Sequence, residues 1–303
     1  MVIAGDGLSH LLPSAREIAA LPADERLNRL PLHHWIGYPA AQAAVAKLEG
    51  MIAQPPALRP ANLLIVGPSN NGKTMIAERC RRLHPARTSV DGEHQVIPVL
   101  VMQMPPAPSA RRFYSALLAA LGAPLWANGS MDLREQMTCR IMRKVGVRLL
   151  IIDELHNILA GRPGQVRECQ NLLRFLGNEL RIPIAGLGTK EAYLAIRSDD
   201  QLENRFEPFL LPRWTDGAEL ARLLMSFEAI LPLKEPSNLA SPELRTPILQ
   251  RSEGTIGEMS ALLVAATRAA LERGCERIDL DLLAAADYLP PTERRRQFEA
   301  SLQ

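Results

Sequence analysis

The segment Gly67-Pro68-Ser69-Asn70-Asn71-Gly72-Lys73-Thr74 follows the apolar run NLLIVG (62 to 67) and precedes a stretch of helical pattern from Thr74 to Leu83. Its spacing, G-x-x-x-x-G-K-[ST] between a strand and a helix, restricts the chain more than any other feature. It asks for a glycine-lined turn that opens directly into a helix N-terminus. Backbone N–H groups at such an end lack partners inside the helix and gather around an anion, which the helix dipole also favours. Gly67 and Gly72 let the backbone approach closely. Lys73 offers a cation to the β and γ phosphates of a nucleoside triphosphate, and the Thr74 hydroxyl offers a ligand to Mg²⁺. Gly67, Asn70, Asn71, Gly72, Lys73 and Thr74 are therefore the expected phosphate-binding residues.

A nucleotide site of this kind needs an apolar strand ending in a carboxylate, and Leu149-Leu150-Ile151-Ile152-Asp153-Glu154 ends in two. Asp153 is expected in the Mg²⁺ shell. Glu154, at the strand exit, is the candidate general base for an attacking water. The alternative account of Glu154 is a charge favoured by the dipole at a helix N-terminus.

Further apolar runs of strand length, VIPVLVMQM (96 to 104), VRLLIIDE (147 to 154), IPIAGLG (182 to 188) and FEPFLLP (206 to 212), alternate with helical stretches. Near-continuous apolar strands separated by helices read as a buried parallel sheet covered on both faces. Upstream, helical periodicity runs between Asp24 and Gln54, with Trp35, Ile36 and Tyr38 leading into AAQAAVAKLEGMI; Pro55, Pro56 and Pro60 end it. After Pro212 the chain reads as helices with no strand between them. The expected fold is thus an α/β core with a five-stranded parallel sheet, followed by a C-terminal helical lid. The boundaries fall at 1–30 for an N-terminal extension, 31–212 for the nucleotide-binding domain, 213–290 for the lid and 291–303 for a tail holding Arg294, Arg295 and Arg296.

With 35 Lys+Arg against 33 Asp+Glu the net charge is +2, too small for a bulk polyelectrolyte binder, so any nucleic-acid contact must come from local patches. Arg111 and Arg112 open a helix after a stiff loop with Pro105, Pro106 and Pro108. Two cations at a helix N-terminus oppose its dipole and ask for an anionic partner. DNA phosphate is one such partner; a solvated surface or an ion pair between subunits are the others. Arg79, Arg81 and Arg82 read as a solvated helix face. No basic leader with an apolar core and no run of about 18 apolar residues is present, which points to a cytoplasmic protein without a membrane span. The four cysteines, Cys80, Cys139, Cys169 and Cys275, have no metal-binding spacing. His156 follows the carboxylates by two residues, close enough to pair with Glu154 or with a neighbouring subunit, but one histidine makes no metal site.

The segment before the first strand (Trp35-Ile36-Gly37-Tyr38), the GPSNNGKT loop, LLIIDE, the strand ending in Gly188-Thr189, and Asn204-Arg205-Phe206-Glu207 before a last strand resemble an AAA+ ATPase core with its helical lid. More narrowly, WIGYPAAQ, the two asparagines of the loop, IIDELHNIL and RFEPFLLPRW resemble the TniB family, the ATP-binding transposition proteins of mercury-resistance-type transposons, related to TnsC. The likeness spans about Leu21 to Leu271. It implies ATP and Mg²⁺ as cofactors, a nucleotide-flanking role for Trp35, Ile36 and Tyr38, a sensor role at the γ-phosphate for Thr189, and an arginine finger at Arg205, with Arg197 as its competitor. A helix cap ahead of Lys190-Glu191-Ala192 is the other account of Thr189.

Double-stranded DNA bound without sequence preference, a DDE-type TniA-like transposase, a TniQ-like targeting protein, and a homo-oligomer built as a hexameric ring or a helical filament are the partners the resemblance implies. In one respect the chain departs from the pattern. Where many AAA+ proteins place a sensor-2 arginine, this sequence reads Gly254-Thr255-Ile256-Gly257-Glu258, which implies slow hydrolysis used as a timer. A helicase loader or replication initiator would share nearly every motif, though often with an added winged helix. A P-loop kinase would need a basic lid and an acceptor pocket, and the Asp153-Glu154 pair together with Arg205 favours hydrolysis over transfer.

Overall fold

The computed structural model describes residues 8–30, 34–124 and 129–302. They divide into two compact units, Pro39–Pro212 and a helical unit made of Met1–Tyr38 with Arg213–Gln303.

Each of the five apolar runs becomes a strand. In chain order the strands are β1 (Asn62–Val66), the short β2 (Arg87–Thr88) and β3 (Gln95–Val96), then β4 (Val99–Gln103), β5 (Leu149–Asp153), β6 (Ile184–Gly188) and β7 (Phe206–Leu210). The main sheet has the order β4-β5-β6-β1-β7 and all its pairings are parallel, while β2 and β3 form a separate antiparallel pair. The run from 96 joins the main sheet only at Val99. Pro98 has no N–H for the ladder, and its carbonyl accepts from Leu149 instead. Pro208 is tolerated in β7 because that strand is an edge, paired only with β1.

The helices are α1 (Pro13–Ala19), α2 (Ala23–Leu27), α3 (Pro39–Ala53), α4 (Lys73–Leu83), α5 (Ala110–Ala120), α6 (Met131–Lys144), α7 (Pro163–Leu180), α8 (Lys190–Arg197), α9 (Asp200–Glu203), α10 (Ala218–Glu228), α11 (Pro242–Arg251), α12 (Ile256–Glu272), α13 (Leu280–Ala285) and α14 (Pro291–Ser301). Leu64, Leu100, Met102, Leu150 and Ile152, alternate residues on their strands, enter one core with Phe113 and Tyr114 of α5, Met142 of α6, Leu173 and Leu176 of α7, and Ala195 and Ile196 of α8. Helices α3 and α4 pack on each other and on the sheet strands. Leu63, Ile65, Leu149 and Ile151, the intervening residues, are buried as well, which is why these strands show no polar alternation.

In the helical unit, α10 to α13 surround Leu224, Phe227, Ile248, Met259, Leu262, Leu263 and Leu283, and Leu30, Ile36 and Tyr38 pack into this same core. The residues before Pro39 thus group with the C-terminal helices. Arg26, 3% exposed, fixes α2 there by donating to both carboxylate oxygens of Glu276 at 2.8 Å and to the Pro232 carbonyl at 3.0 Å. In the C-terminal segment, α14 has no buried residue. No helix among the described residues is long and apolar enough to cross a membrane. Cys80, Cys139 and Cys169 are free and buried, as packing residues; burial pushes the Cys80 thiol up to about 12.

Candidate nucleotide site

Because the sheet is parallel, the exits of all five strands share one edge, where doubly wound folds bind ligands. That edge gathers the loop after β1, Asp153 at the end of β5 with Glu154 just after it, and Thr189 after β6. The Gly67 N–H donates to the Gly188 carbonyl at 3.1 Å, and the Leu211 N–H donates to the Val66 carbonyl at 2.7 Å, so β6 and β7 clamp the start of the loop from both sides. A Cβ on Gly67 would lie 2.9 Å from the Leu211 carbonyl oxygen; only glycine fits between the strands there.

The two asparagines have separate tasks. Asn70 adopts the left-handed conformation at φ 58°, which asparagine tolerates better than most residues. Asn71 is 2% exposed, and its side-chain amide donates to the carbonyls of Leu211 at 3.1 Å and Pro212 at 2.9 Å. Its side chain therefore anchors the loop to the segment after β7, leaving the loop's backbone to meet a ligand. Gly72, at φ 83°, then turns the chain into α4.

Lys73 is 6% exposed and points back over the loop, donating to the Gly67 carbonyl at 3.0 Å and to the Pro68 carbonyl at 2.6 Å. Burial lowers its pKa from the usual lysine value, while the charges of Glu154 and Asp153 work in the opposite direction. One residue on, the Thr74 hydroxyl donates to Asp153 Oδ2 at 2.6 Å, and Asp153 Oδ1 accepts the Glu154 N–H at 2.8 Å. Hydroxyl and carboxylate are thus held side by side, the pair of oxygen ligands a hard divalent cation needs. Among the described residues no cluster of three or more Asp, Glu, His or Cys stands ready for a metal. Mg²⁺ suits such a sparse set, since it keeps several waters and draws other ligands from substrate phosphates.

Glu154 has φ 54° and ψ 37°, so the strand breaks sharply and the carboxylate leaves the sheet edge half-exposed. His156 Nε2 lies 3.1 Å from Glu154 Oε2. Thr189 occupies the N-cap position of α8, yet its hydroxyl caps no backbone N–H; it donates to the Glu191 carboxylate. The cap account of this hydroxyl fails on geometry.

Arg205 stands elsewhere. The β1–β7 register pairs Asn62 with Phe206, and the Asn62 N–H donates to the Arg205 carbonyl at 2.8 Å, which puts Arg205 at the entry end of the sheet. Its guanidinium donates to Asn178 Oδ1 at 2.8 Å. At about 3.3 Å per residue, the length of β1 alone sets about 13 Å between this edge and the loop. Arg197 is exposed and faces Glu203 at 3.7 Å. Arg111 and Arg112 are exposed in the first turn of α5, which follows β4 and so begins at the loop's edge; Ser109 caps the Arg112 N–H. Arg81 and Arg82 pair with Glu78.

Trp35, Ile36 and Tyr38 belong to the helical unit, where Tyr38 meets Trp214 edge-on at 5.0 Å and burial raises its hydroxyl to about 12. In the same unit, Glu258 stands beside the expected sensor-2 position. It accepts from the Tyr288 hydroxyl at 2.8 Å and from Arg294 of α14 at 2.6 Å, so a cation does approach this motif, brought by a helix some 36 residues later in the sequence.

The sequence model of the family described as "Bacterial TniB protein" matches residues 26–216, well over half of the chain. The chain belongs to the TniB family. No curated protein matches it. Among solved structures, the ORC2 protein of Aeropyrum pernix, solved as ADPNP-ADP complexes, has a TM-score of 0.60 at 16% identity, covering 84% of this chain and 70% of its own. The ORC1 protein of Aeropyrum pernix, in complex with DNA, has a TM-score of 0.55 at 20% identity, covering 89% and 68%. The RuvB Holliday junction branch migration motor of Thermotoga maritima has 0.52 at 16%, covering 88% and 71%. At these identities the likeness is one of fold, and the fold is that of P-loop AAA+ ATPases.

Proposed function

We propose that this TniB-family chain is a Mg²⁺-dependent ATPase of DNA transposition. With ATP bound it assembles head to tail on duplex DNA, marks the target and recruits a DDE-type transposase with a TniQ-like protein, and hydrolysis then drives disassembly. The observation that carries the reading is the 2.6 Å contact of the Thr74 hydroxyl with Asp153, across from a buried Lys73, in a chain of this family.

In this reading the loop backbone from Gly67 to Gly72 cradles the phosphates, and Lys73 exchanges its two carbonyl partners for phosphate oxygens. Mg²⁺, held by Thr74 and Asp153, supplies countercharge to the phosphates when bound. Glu154 takes the proton of the attacking water, and Thr189 turns its hydroxyl from Glu191 toward the water or the γ-phosphate. Arg205 stabilises the transition-state charge in the site of a neighbouring subunit. Arg111 and Arg112 contact DNA phosphates.

The test is sedimentation and electron microscopy of the protein with duplex DNA and MgATP. Wild-type protein should assemble with a non-hydrolysable analogue and disassemble as ATP is consumed. Glu154→Gln should assemble with ATP and persist, turning over at least about 100-fold more slowly. ATP-independent assembly, or normal turnover in Glu154→Gln, would refute the reading.

A further inference from the structure

One polar group at the loop edge has no task in the hydrolytic scheme, and that is the imidazole of His156. Its Nε2 lies 3.1 Å from Glu154 Oε2, whereas its Nδ1 is buried without a hydrogen-bond partner. Buried polar atoms in folded proteins are nearly always paired, so an unpaired one asks for a reason. The ring packs against the β6 exit: a Cβ on Gly188 would lie 3.4 Å from both the His156 backbone nitrogen and Nδ1, an ordinary contact distance, while Ala192, whose Cβ would be 2.5 Å away, is what requires glycine there. The turn that carries the ring is fixed as well. Leu155 and Ile158 on either side are fully buried, and the Asn157 side chain donates to the Met104 carbonyl at 3.0 Å. The ring thus touches the β5 exit on one side and the β6 exit, one residue before Thr189, on the other. Glu191 is held below the usual carboxylate range first by the Thr189 hydroxyl.

We propose that His156 is a positioning residue for Glu154, fixing the carboxylate through Nε2 and, through its packing against Gly188, registering it to Thr189. The inference rests on Glu154 being the hydrolytic carboxylate. A half-exposed glutamate side chain samples several rotamers when nothing holds it. Misplacing a reacting group by about 1 Å costs about 100-fold in rate. The unpaired Nδ1 is the consequence of seating the ring where only Nε2 can work.

The test exploits the difference between the two ring nitrogens. A glutamine amide nitrogen reaches about as far from the backbone as Nε2, and an asparagine amide nitrogen only about as far as Nδ1. His156→Gln should keep kcat within about threefold of wild type, while His156→Asn and His156→Leu should lose about 10- to 100-fold, all three with unchanged ATP affinity. In a Glu154→Gln background, His156→Leu should add no further loss in single-turnover rate. Wild-type kcat in the Asn and Leu variants overturns the proposal. So does an equal fall in Gln, Asn and Leu, or a parallel loss of ATP affinity, either of which marks the ring as structural support only. Wild-type protein that fails to hydrolyse ATP with DNA present overturns the functional reading itself, and is recognised before any variant is compared.

Discussion

Removing the ammonium of Lys73 should separate the stability of the loop from its affinity. That ammonium donates to two carbonyls of its own loop, Gly67 and Pro68. The loop does not depend on it, since Asn71 ties the loop to Leu211 and Pro212 and Thr74 ties the helix start to Asp153. Lys73→Ala and Lys73→Met should therefore fold like the parent. A hydrogen bond to a charged group is worth about 1.5–3 kcal/mol net, so removing one phosphate interaction of this kind weakens ATP binding about 10- to 150-fold. Thermal denaturation with MgATP reads the difference directly. At an ATP concentration about 100 times the wild-type Kd, the parent gains about 2.7 kcal/mol from ligand; a variant bound about 100-fold more weakly gains only about 0.4 kcal/mol. The methionine variant keeps the aliphatic stem, so equal losses in both variants assign the effect to charge. Parental affinity in either one, measured by calorimetry, would refute the phosphate role of Lys73.

Three further outcomes are expected. Arg205→Ala should bind ATP normally and lose about 10³-fold or more in turnover, and mixing it with Glu154→Gln should recover activity, because some interfaces then join an intact finger to an intact base; co-assembly without recovery shifts the finger to Arg197. Arg111→Ala with Arg112→Ala should weaken duplex binding and lower the salt slope by about 0.9 for each DNA phosphate the variant no longer neutralises, with ATP affinity unchanged; DNA binding equal to the parent's places the DNA-binding surface elsewhere. In the helical unit Arg26, through its hydrogen bonds, holds the Glu276 carboxyl below its usual range. That contribution is complete above the unfolded carboxylate value of about 4.3 and fades as pH falls through the lower folded value. Arg26→Ala should cost about 3 kcal/mol near neutral pH and flatten the acid limb of the stability curve, read by urea denaturation; an unchanged acid limb refutes the pairing.

Chemistry that is local in the chain is legible in the sequence. The loop from Gly67 to Thr74, the paired carboxylates after β5 and the five apolar runs each show within ten residues, because phosphate binding and two-sided burial impose short, contiguous patterns. What depends on register between distant strands is not legible there. Nothing near Asn71 in sequence reveals that its amide serves carbonyls 140 residues away, and nothing near Gly188 reveals that His156 packs against it. Helices α1 and α2, seven and five residues long, are too short to show a period. Arg26 looks like surface until Glu276, 250 residues on, is brought to it. The sensor-2 gap at Gly257 is clear in sequence, but Arg294 approaching Glu258 is visible only in the fold.

The placement of Arg205 leads furthest. In a parallel sheet the entry and exit edges are separated by the full strand length, and the finger candidate stands at one edge while the loop, Asp153 and Glu154 stand at the other. An arginine that stabilises charge at the loop edge must then belong to another copy. In the head-to-tail assembly we propose, the interface would be heterologous, and each added subunit would offer a fresh loop edge to the next finger. Such an interface closes into a ring if its rotation closes and otherwise runs on as a filament. Either way the Arg111 and Arg112 patch repeats with every subunit. If it meets DNA, a few phosphate contacts per copy, negligible alone for a chain of net charge +2, would become an array whose DNA affinity rises with assembly and falls steeply with salt. Nucleotide state, by setting whether subunits join, would thereby set whether DNA is held at all.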